Sequence, residues 1–281
     1  MTVGKLFLVA LPIGNMEDIT IRAIRTLRTV SGILAEDTRT TRKILDRYRI
    51  ATPFFSSVFQ GGERQRARWL VEQLRSGKML ALVSDAGTPL INDPGFFLVR
   101  TAIAAGIPVV PIPGPSASIA GLIASGMPPD RFCFEGAVPR KSGERTTLFE
   151  QLRHEPRTTI LFESPHRLLA TLRDLAMVLP DRNITLAREL TKHHEEFLRG
   201  HPEELLRTMS SRDQVRGEYV LVLAGGGTET PDQKRIEEVL NLLQEAGLAN
   251  KSIVQVLVAA FGLARNAAYS FVHNQDGIPA D

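Results

Sequence analysis

The chain has 281 residues, 43% of them hydrophobic and 23% charged, with a formal net charge of +3. That length buries one or two sizeable cores, and the absence of any run of ~18 consecutive apolar residues excludes a membrane-spanning helix. The single cysteine, Cys133, excludes an intramolecular disulfide and a cysteine-based zinc site, which makes the cytoplasm the expected compartment. Of the 34 basic residues seven are Lys, and the surplus of Arg, whose planar fork suits phosphate, is compatible with nucleic acid and equally with an ordinary charged surface.

In chain order, Lys5–Ala10 reads as a first strand rather than a signal peptide, because its apolar run leads directly into structured sequence. Asp18 is the expected N-cap of a helix over Ile19–Val30, with Ile19, Ala23, Ile24 and Leu27 as its apolar stripe. A short strand, Gly32–Ala35, ends in Glu36-Asp37-Thr38-Arg39 and precedes a helix over Thr40–Tyr48. Thr52–Phe59 is a third strand, and Glu63–Ser76 a helix with Ala67, Leu70, Val71 and Leu74 inward. Met79–Val83 is a continuous apolar run, the pattern of a buried parallel strand. It runs into Ser84–Pro89 and Asp93-Pro94-Gly95, and then into a helix over Phe96–Ala105 whose apolar positions are Phe97, Val99, Ala102 and Ile103. Pro108–Ile112 is a strand closed by Pro113–Ala117 and a small-residue helix to Ala124. The repeated strand, loop, helix order predicts an α/β fold with a largely parallel, doubly wound sheet.

A break at Gly126–Pro129 divides the chain into an N-terminal α/β domain over 1–126 and a second over 127–226. The second reads as strands at Arg131–Glu135, Thr158–Phe162, Asn183–Ala187 and Glu218–Ala224. Its helices are Thr146–Leu152, Arg167–Val178 and Pro202–Met209. Gly225–Pro231 is a linker by composition. Three short helices follow, over Asp232–Ala246, Lys251–Phe261 and Ala264–Val272, and make 227–281 a linker and small helical domain. With Gly247 and Gly262 between them, two short helices around a Gly turn resemble a helix-turn-helix, and a bundle serving only packing fits the same pattern.

Neither a Gly-x-Gly-x-x-Gly nor a Gly-x-x-x-x-Gly-Lys-Ser/Thr segment is present, so the dinucleotide fingerprint and the P-loop are absent. Several strands end instead in loops of Gly, Pro, Ser, Thr and carboxylates. In a parallel arrangement such loops share an edge and form a cleft between two α/β halves. The segments Ala10–Asn15, Ala35–Arg39, Ser84–Pro89, Asp93–Gly95, Pro113–Ala117, Glu163–Arg167, Arg188–Lys192 and Gly217-Glu218 occur in this order. Each is common by itself. In this series the chain resembles the ribosomal RNA small subunit methyltransferase I family, within the tetrapyrrole (precorrin) methylase superfamily, over about residues 4–225. One segment departs from the pattern: Phe55–Glu63 reads Phe-Ser-Ser-Val-Phe-Gln-Gly-Gly-Glu where many members carry His, Asn and Glu.

The resemblance implies S-adenosyl-L-methionine as methyl donor, the 2′-hydroxyl of a cytidine in 16S rRNA of the small ribosomal subunit as acceptor, and a homodimer with the donor in the interdomain cleft. It implies donor contacts at Pro12, Gly14, Asp85, Gly87, Thr88, Pro89, Pro113, Ser116 and Ala117. The opposite wall would come from Phe162, Ser164, Ala187 and Glu189. A tetrapyrrole methylase, or a non-catalytic RNA-binding assembly factor of the same fold, is the alternative.

Methyl transfer from a sulfonium is an in-line displacement with a neutral leaving group, so alignment supplies most of the gain and a base helps a ribose hydroxyl. Asp37, Glu36, Glu163 and Lys192 are the candidate bases, Lys192 only if burial or neighbouring cations lower its pKa. Arg39, Arg167 and Arg188 are candidates for gripping flanking phosphates, and Arg140, Lys141 and Arg145 for an RNA-facing loop. Each has a structural reading too: Asp37 as a helix cap, Glu163 and Arg167 as an i,i+4 pair, Arg188 and Glu189 as a structural pair. His193–Glu196 reads as a solvated polar run, since adjacent side chains point apart, and no metal site is expected.

Overall fold

A computed structural model describes residues 3–57, 63–226, 233–261, 263 and 265–273. Most of the departing segment (58–62) and most of the Gly-rich linker (227–232) lie outside the described residues. The chain groups into two units, Met1–Gln151 with Arg157–Ala224, and Leu152–Pro156 with Gly225–Asp281.

The first unit contains two five-stranded sheets. In the first, β1 (Leu6–Val9), β2 (Gly32–Ala35), β3 (Phe54–Ser57), β4 (Leu80–Val83) and β5 (Val109–Ile112) are all parallel, in the order β3-β2-β4-β1-β5. β2 and β4 are buried at every position, so both sheet faces require helices. Ala23 and Leu27 of α1 (Ile21–Thr29) and Ile44 and Leu45 of α2 (Thr38–Arg47) cover one face. Leu70 and Leu74 of α3 (Glu63–Arg75) and Leu98 and Ala102 of α4 (Phe96–Ala104) cover the other. Two local expectations are corrected. Thr20, not Asp18, caps α1: its hydroxyl accepts from Ala23 N at 3.0 Å, because Asn15 starts a separate 3₁₀ turn over Met16–Asp18. In α4, Leu98 is buried and Ile103 is 60% exposed, since a helix this uniformly apolar has no periodicity to mark its inner face.

The second sheet is mixed. β6 (Phe132–Ala137) runs parallel to β7 (Thr158–Glu163). β10 (Tyr219–Leu223), β8 (Ile184–Arg188) and β9 (Glu196–Gly200) follow antiparallel, in the order β6-β7-β10-β8-β9. β9 was not expected from sequence: a half-exposed edge strand with charges in a five-residue run carries no apolar signal.

α5 (Ala117–Ser125) joins the sheets. It leaves β5 and lies across the second sheet, where Leu122 packs with Ile160, Val220 and Val222. Gly121 permits the approach, since a Cβ there would sit 2.9 Å from Val220 Cγ1. Arg199 closes its end, donating to the carbonyls of Ser125 at 3.0 Å and Ala124 at 2.6 Å. The second sheet also carries α6 (Ser142–Leu152), α7 (Pro165–Val178) and α8 (Pro202–Ser210) in its connections. The second unit is a cluster of α9 (Gln233–Glu245), α10 (Asn250–Phe261) and α11 (Arg265–His273), packed through Ile236, Leu240, Ile253, Leu257 and Ala268.

Candidate active site

The parallel order of the first sheet sends the chain out at one edge after β1, β4 and β5, and these exits are knitted together. Leu11 and Gly87 exchange backbone hydrogen bonds at 2.9 and 3.0 Å, and the Thr88 hydroxyl donates to the Pro115 carbonyl at 3.0 Å. Gly87 has φ +72°, and a Cβ there would lie 3.2 Å from Ile13 Cγ2. Leu90 and Asn92 also hold positive φ, 74° and 66°, in a loop whose backbone is therefore strained. Two contacts tie these loops to the second sheet. Asn15 N donates to Thr191 Oγ1 at 2.9 Å, and Ala137 N to Asn92 Oδ1 at 3.2 Å.

Between these ties lies a cavity of about 530 Å³, within the range of cofactor sites. Its first-sheet side includes Ile13, Gly87, Thr88, Asp93, Ser116 and Ala117; its second-sheet side includes Phe162, Glu163, Ser164, Arg167, Tyr219 and Val220. Two helices begin at its wall, α5 after Ser116 and α7 after Ser164, and neither N-cap side chain closes its own helix. The first N–H groups and positive dipole end of α5 therefore suit an anionic group, whereas α7 starts on Pro165 and its preceding Ser164 N–H is taken by Glu163 at 2.7 Å.

Of the expected donor contacts, Gly87, Thr88, Ser116, Ala117, Phe162 and Ser164 line this cavity together. Pro12, Gly14, Asp85, Pro89, Pro113, Ala187 and Glu189 stand in the surrounding loops and strand ends. Gly14 is packed beneath the second sheet's loop, where a Cβ would meet Lys192 Cγ at 2.5 Å. Asp85 Oδ1 accepts from Asp37 N at 2.8 Å, and Glu189 Oε1 accepts from Glu218 N at 3.0 Å. Ala187 is a buried core position of β8.

The candidate bases separate sharply. Asp37 caps α2 through Arg39 N at 2.8 Å and pairs with the Arg39 guanidinium at 2.7 Å, which lowers its pKa to about 2. Glu163 lines the cavity but is buried. It accepts from Ser164 N at 2.7 Å and from the Thr171 hydroxyl, and pairs with Arg167 at 2.6 Å. Lys192 does not meet its condition. Burial lowers its pKa, but hydrogen bonds to Glu189 and Glu218, both at 2.9 Å, outweigh it and leave the pKa raised. In Glu36, burial and then the charges of Asp85 and Asp93 push the carboxyl up.

The cations likewise divide. Arg39 and Lys141 are exposed but paired, with Asp37 and Glu144. Arg140 is exposed. Arg145 does not face solvent: it is 5% exposed and pairs with buried Asp174 at 2.5 Å, because α6 begins a turn earlier than expected and carries it inward. Arg167 is committed to Glu163, the Ser164 hydroxyl and the Val138 carbonyl. Arg188 donates to the Arg216 carbonyl at 2.8 Å and lies 3.5 Å from Glu196, not from Glu189.

Asp93 belongs to the Asp93–Gly95 segment, where nothing in the sequence marks its carboxylate as a site group. It lines the cavity with no cation beside it among the described residues, and its pKa is raised by burial and by Asp85 against a hydrogen bond from Ser84. Tyr219 and Asn92 were also missed. Among the described residues no cluster of His, Cys, Asp or Glu could hold a metal ion.

The family model described as Tetrapyrrole (Corrin/Porphyrin) Methylases matches residues 5–206. A protein of Halalkalibacterium halodurans named ribosomal RNA small subunit methyltransferase I is 40% identical over 278 residues, 97% of this chain and 96% of that protein. A Synechocystis protein of the same name is 44% identical over 270 residues, 95% and 96%. Diphthine synthase superimposes with a TM-score of 0.60 at 17% identity, over 79% of this chain and 90% of that one. A Thermus thermophilus uroporphyrin-III C-methyltransferase complexed with S-adenyl homocysteine superimposes with a TM-score of 0.55 at 17% identity, over 79% and 97%.

Proposed function

The chain belongs to the tetrapyrrole methylase family and, within it, to the ribosomal RNA small subunit methyltransferase I proteins, and from that premise we propose that it transfers a methyl group from S-adenosyl-L-methionine to the 2′-hydroxyl of a cytidine in 16S rRNA of the small ribosomal subunit. The observation that carries this reading is the single cavity into which the Thr88, Ser116 and Ser164 turns all open.

The residues fit such a donor. The open N-terminus of α5 suits its carboxylate, and Phe162 and Val220 offer apolar surface to an adenine. When bound, the donor supplies an electrophilic methyl on a sulfonium. The chain's contribution is alignment of that methyl with the incoming oxygen, which accounts for most of the rate in an in-line displacement. Glu163 and Arg167 hold the α7 end of the cavity in place rather than exchanging protons. Asp93, which lines the cavity and whose charge is felt by Glu36, is the carboxylate suited to accept the hydroxyl proton, since burial makes both stronger bases than ordinary carboxylates.

The same reading includes a cytoplasmic homodimer. α4 and α5 leave Phe96, Ile103, Ile119 and Ile123 between 43% and 73% exposed, apolar helix edges of the kind a second copy covers. Among the described residues no helix is long and apolar enough to cross a membrane.

The test is methyl transfer with labelled donor to undermethylated small subunits, naked 16S rRNA and a precorrin in parallel, with donor binding followed by calorimetry. Label in a ribose 2′-O-methylcytidine is the expected result. Label in the precorrin alone supports a tetrapyrrole methylase, and no heat at millimolar donor supports a non-catalytic factor; either ends the proposal.

A further inference from the structure

α1 and α2 lie side by side on one face of the first sheet. Their inner sides are apolar and buried, and the Arg28 guanidinium of α1 donates to the Tyr48 carbonyl just past α2 at 2.7 Å. Their outer sides are basic. α1 exposes Arg22, Arg25 and Arg28 at three-residue spacing and contains no acid. α2 exposes Arg42, Lys43 and Arg47 opposite buried Thr41, Ile44 and Leu45, with Asp46 as its one carboxylate. Among the described residues no carboxylate pairs with Arg22, Arg25, Lys43 or Arg47, and the one ion pair on these two helices is that of Arg39 with Asp37 at the start of α2. Unpaired exposed cations on two adjacent helices repel one another, and such a face is stabilised by polyanions.

The face also has a direction. α2 starts at Asp37, whose N–H donates to Asp85 at 2.8 Å, beside the Asp93 edge of the cavity. Its ten residues extend about 15 Å from there, a reach of about four phosphates along one strand of a duplex. The chemistry favours a nucleic-acid backbone over a membrane surface, because the apolar sides of both helices are consumed by the core and Ile21 alone of their large apolar side chains is strongly exposed.

We propose that the outer face of α1 and α2 is a track for the RNA backbone, binding phosphates of the segment that leads into the cavity. This rests on the RNA reading above and names the surface that serves it. Phosphate contacts there set register and affinity without reading sequence.

The experiment compares the wild-type chain with a variant carrying Arg22→Gln, Arg25→Gln, Lys43→Gln and Arg47→Gln, and with a control carrying Arg75→Gln and Arg173→Gln on α3 and α7. Binding to 16S rRNA and to a mixed-sequence RNA oligonucleotide is measured between about 50 and 200 mM salt. The four-site variant is expected to lower the slope of log K against log salt by about 3, at about 0.7–0.9 per lost phosphate contact. It should also raise KM for RNA at least ~10-fold, with kcat, donor affinity and melting temperature kept. The idea is overturned if the slope is unchanged, if the control loses as much as the variant, or if anionic vesicles bind the wild type more tightly than RNA does. Because binding is read without turnover, a wild-type chain that binds RNA through this face yet transfers no methyl would refute the proposed activity and leave the track standing.

Discussion

Replacing Arg145 by Met tests whether this residue belongs to the core or to an RNA surface. Its side chain is 6% exposed and that of its partner Asp174 is 9% exposed. Asp174 Oδ2 takes Arg145 Nε at 2.6 Å, the second guanidinium nitrogen at 2.5 Å and the Ser142 hydroxyl at 3.2 Å. Removal of the guanidinium strands a buried carboxylate with one weak donor, which costs about 3–5 kcal/mol. At roughly 2–4 °C per kcal/mol for a unit of this size, the melting temperature falls by about 6–20 °C. Converting the partner as well, Arg145→Met with Asp174→Leu, removes both charges and should recover most of the loss, so the double-mutant cycle gives a large coupling energy. Thermal and urea melts followed by circular dichroism read it directly. The reasoning is refuted if the single variant melts within about 0.5 kcal/mol of wild type while its RNA affinity drops, because Arg145 would then be facing solvent and RNA.

Three further outcomes follow from the same geometry. Glu36 and Asp93 both have pKa values raised on folding, so the folded chain holds protons that the unfolded chain has released. Each therefore destabilises the fold above its folded pKa, and the penalty is relieved as pH falls through that pKa. Glu36→Gln or Asp93→Asn should raise the urea midpoint at neutral pH and not below about pH 4; a gain that ignores pH contradicts the assignment. Gly121→Ala should cost about 1–3 kcal/mol through its clash with Val220 and weaken donor binding, because α5 carries Ser116 and Ala117 into the cavity. Val220→Ala in the same chain should recover part of the lost stability by removing the clashing methyl, read by thermal melts, while calorimetry with the donor reads the loss of binding in Gly121→Ala itself. Arg49 follows α2 at φ 51°, where glycine is the usual residue, so Arg49→Gly should stabilise by about 1 kcal/mol; an unchanged or lower melting temperature would count against strain there.

The first sheet was legible because β1, β2 and β4 are continuous apolar runs and its helices mostly carry clear stripes. Periodicity failed where it carries no information. The all-apolar α4 hid which side is buried, and β9, a short charged edge strand, looked like loop. The motif loops pointed to Thr88, Ser116 and Ser164, yet their meeting depends on α5 crossing from one sheet to the other, a contact made through Gly121 and Val220.

By itself the sequence determined the succession of strands, turns and helices and the chemical inventory of each loop, because those depend on local φ/ψ preference and on period. Tertiary structure alone decided which charges are available. Arg145, Arg167, Glu163 and Lys192 looked like reagents and became struts, each satisfied by a partner from 3 to 29 residues away. Asp93 and the outer cations Arg22, Arg25, Lys43 and Arg47 looked ordinary and are left without an oppositely charged partner among the described residues. The reason is physical: whether a charged side chain is spent or free depends on burial and on neighbours brought in by packing, and linear spacing encodes neither.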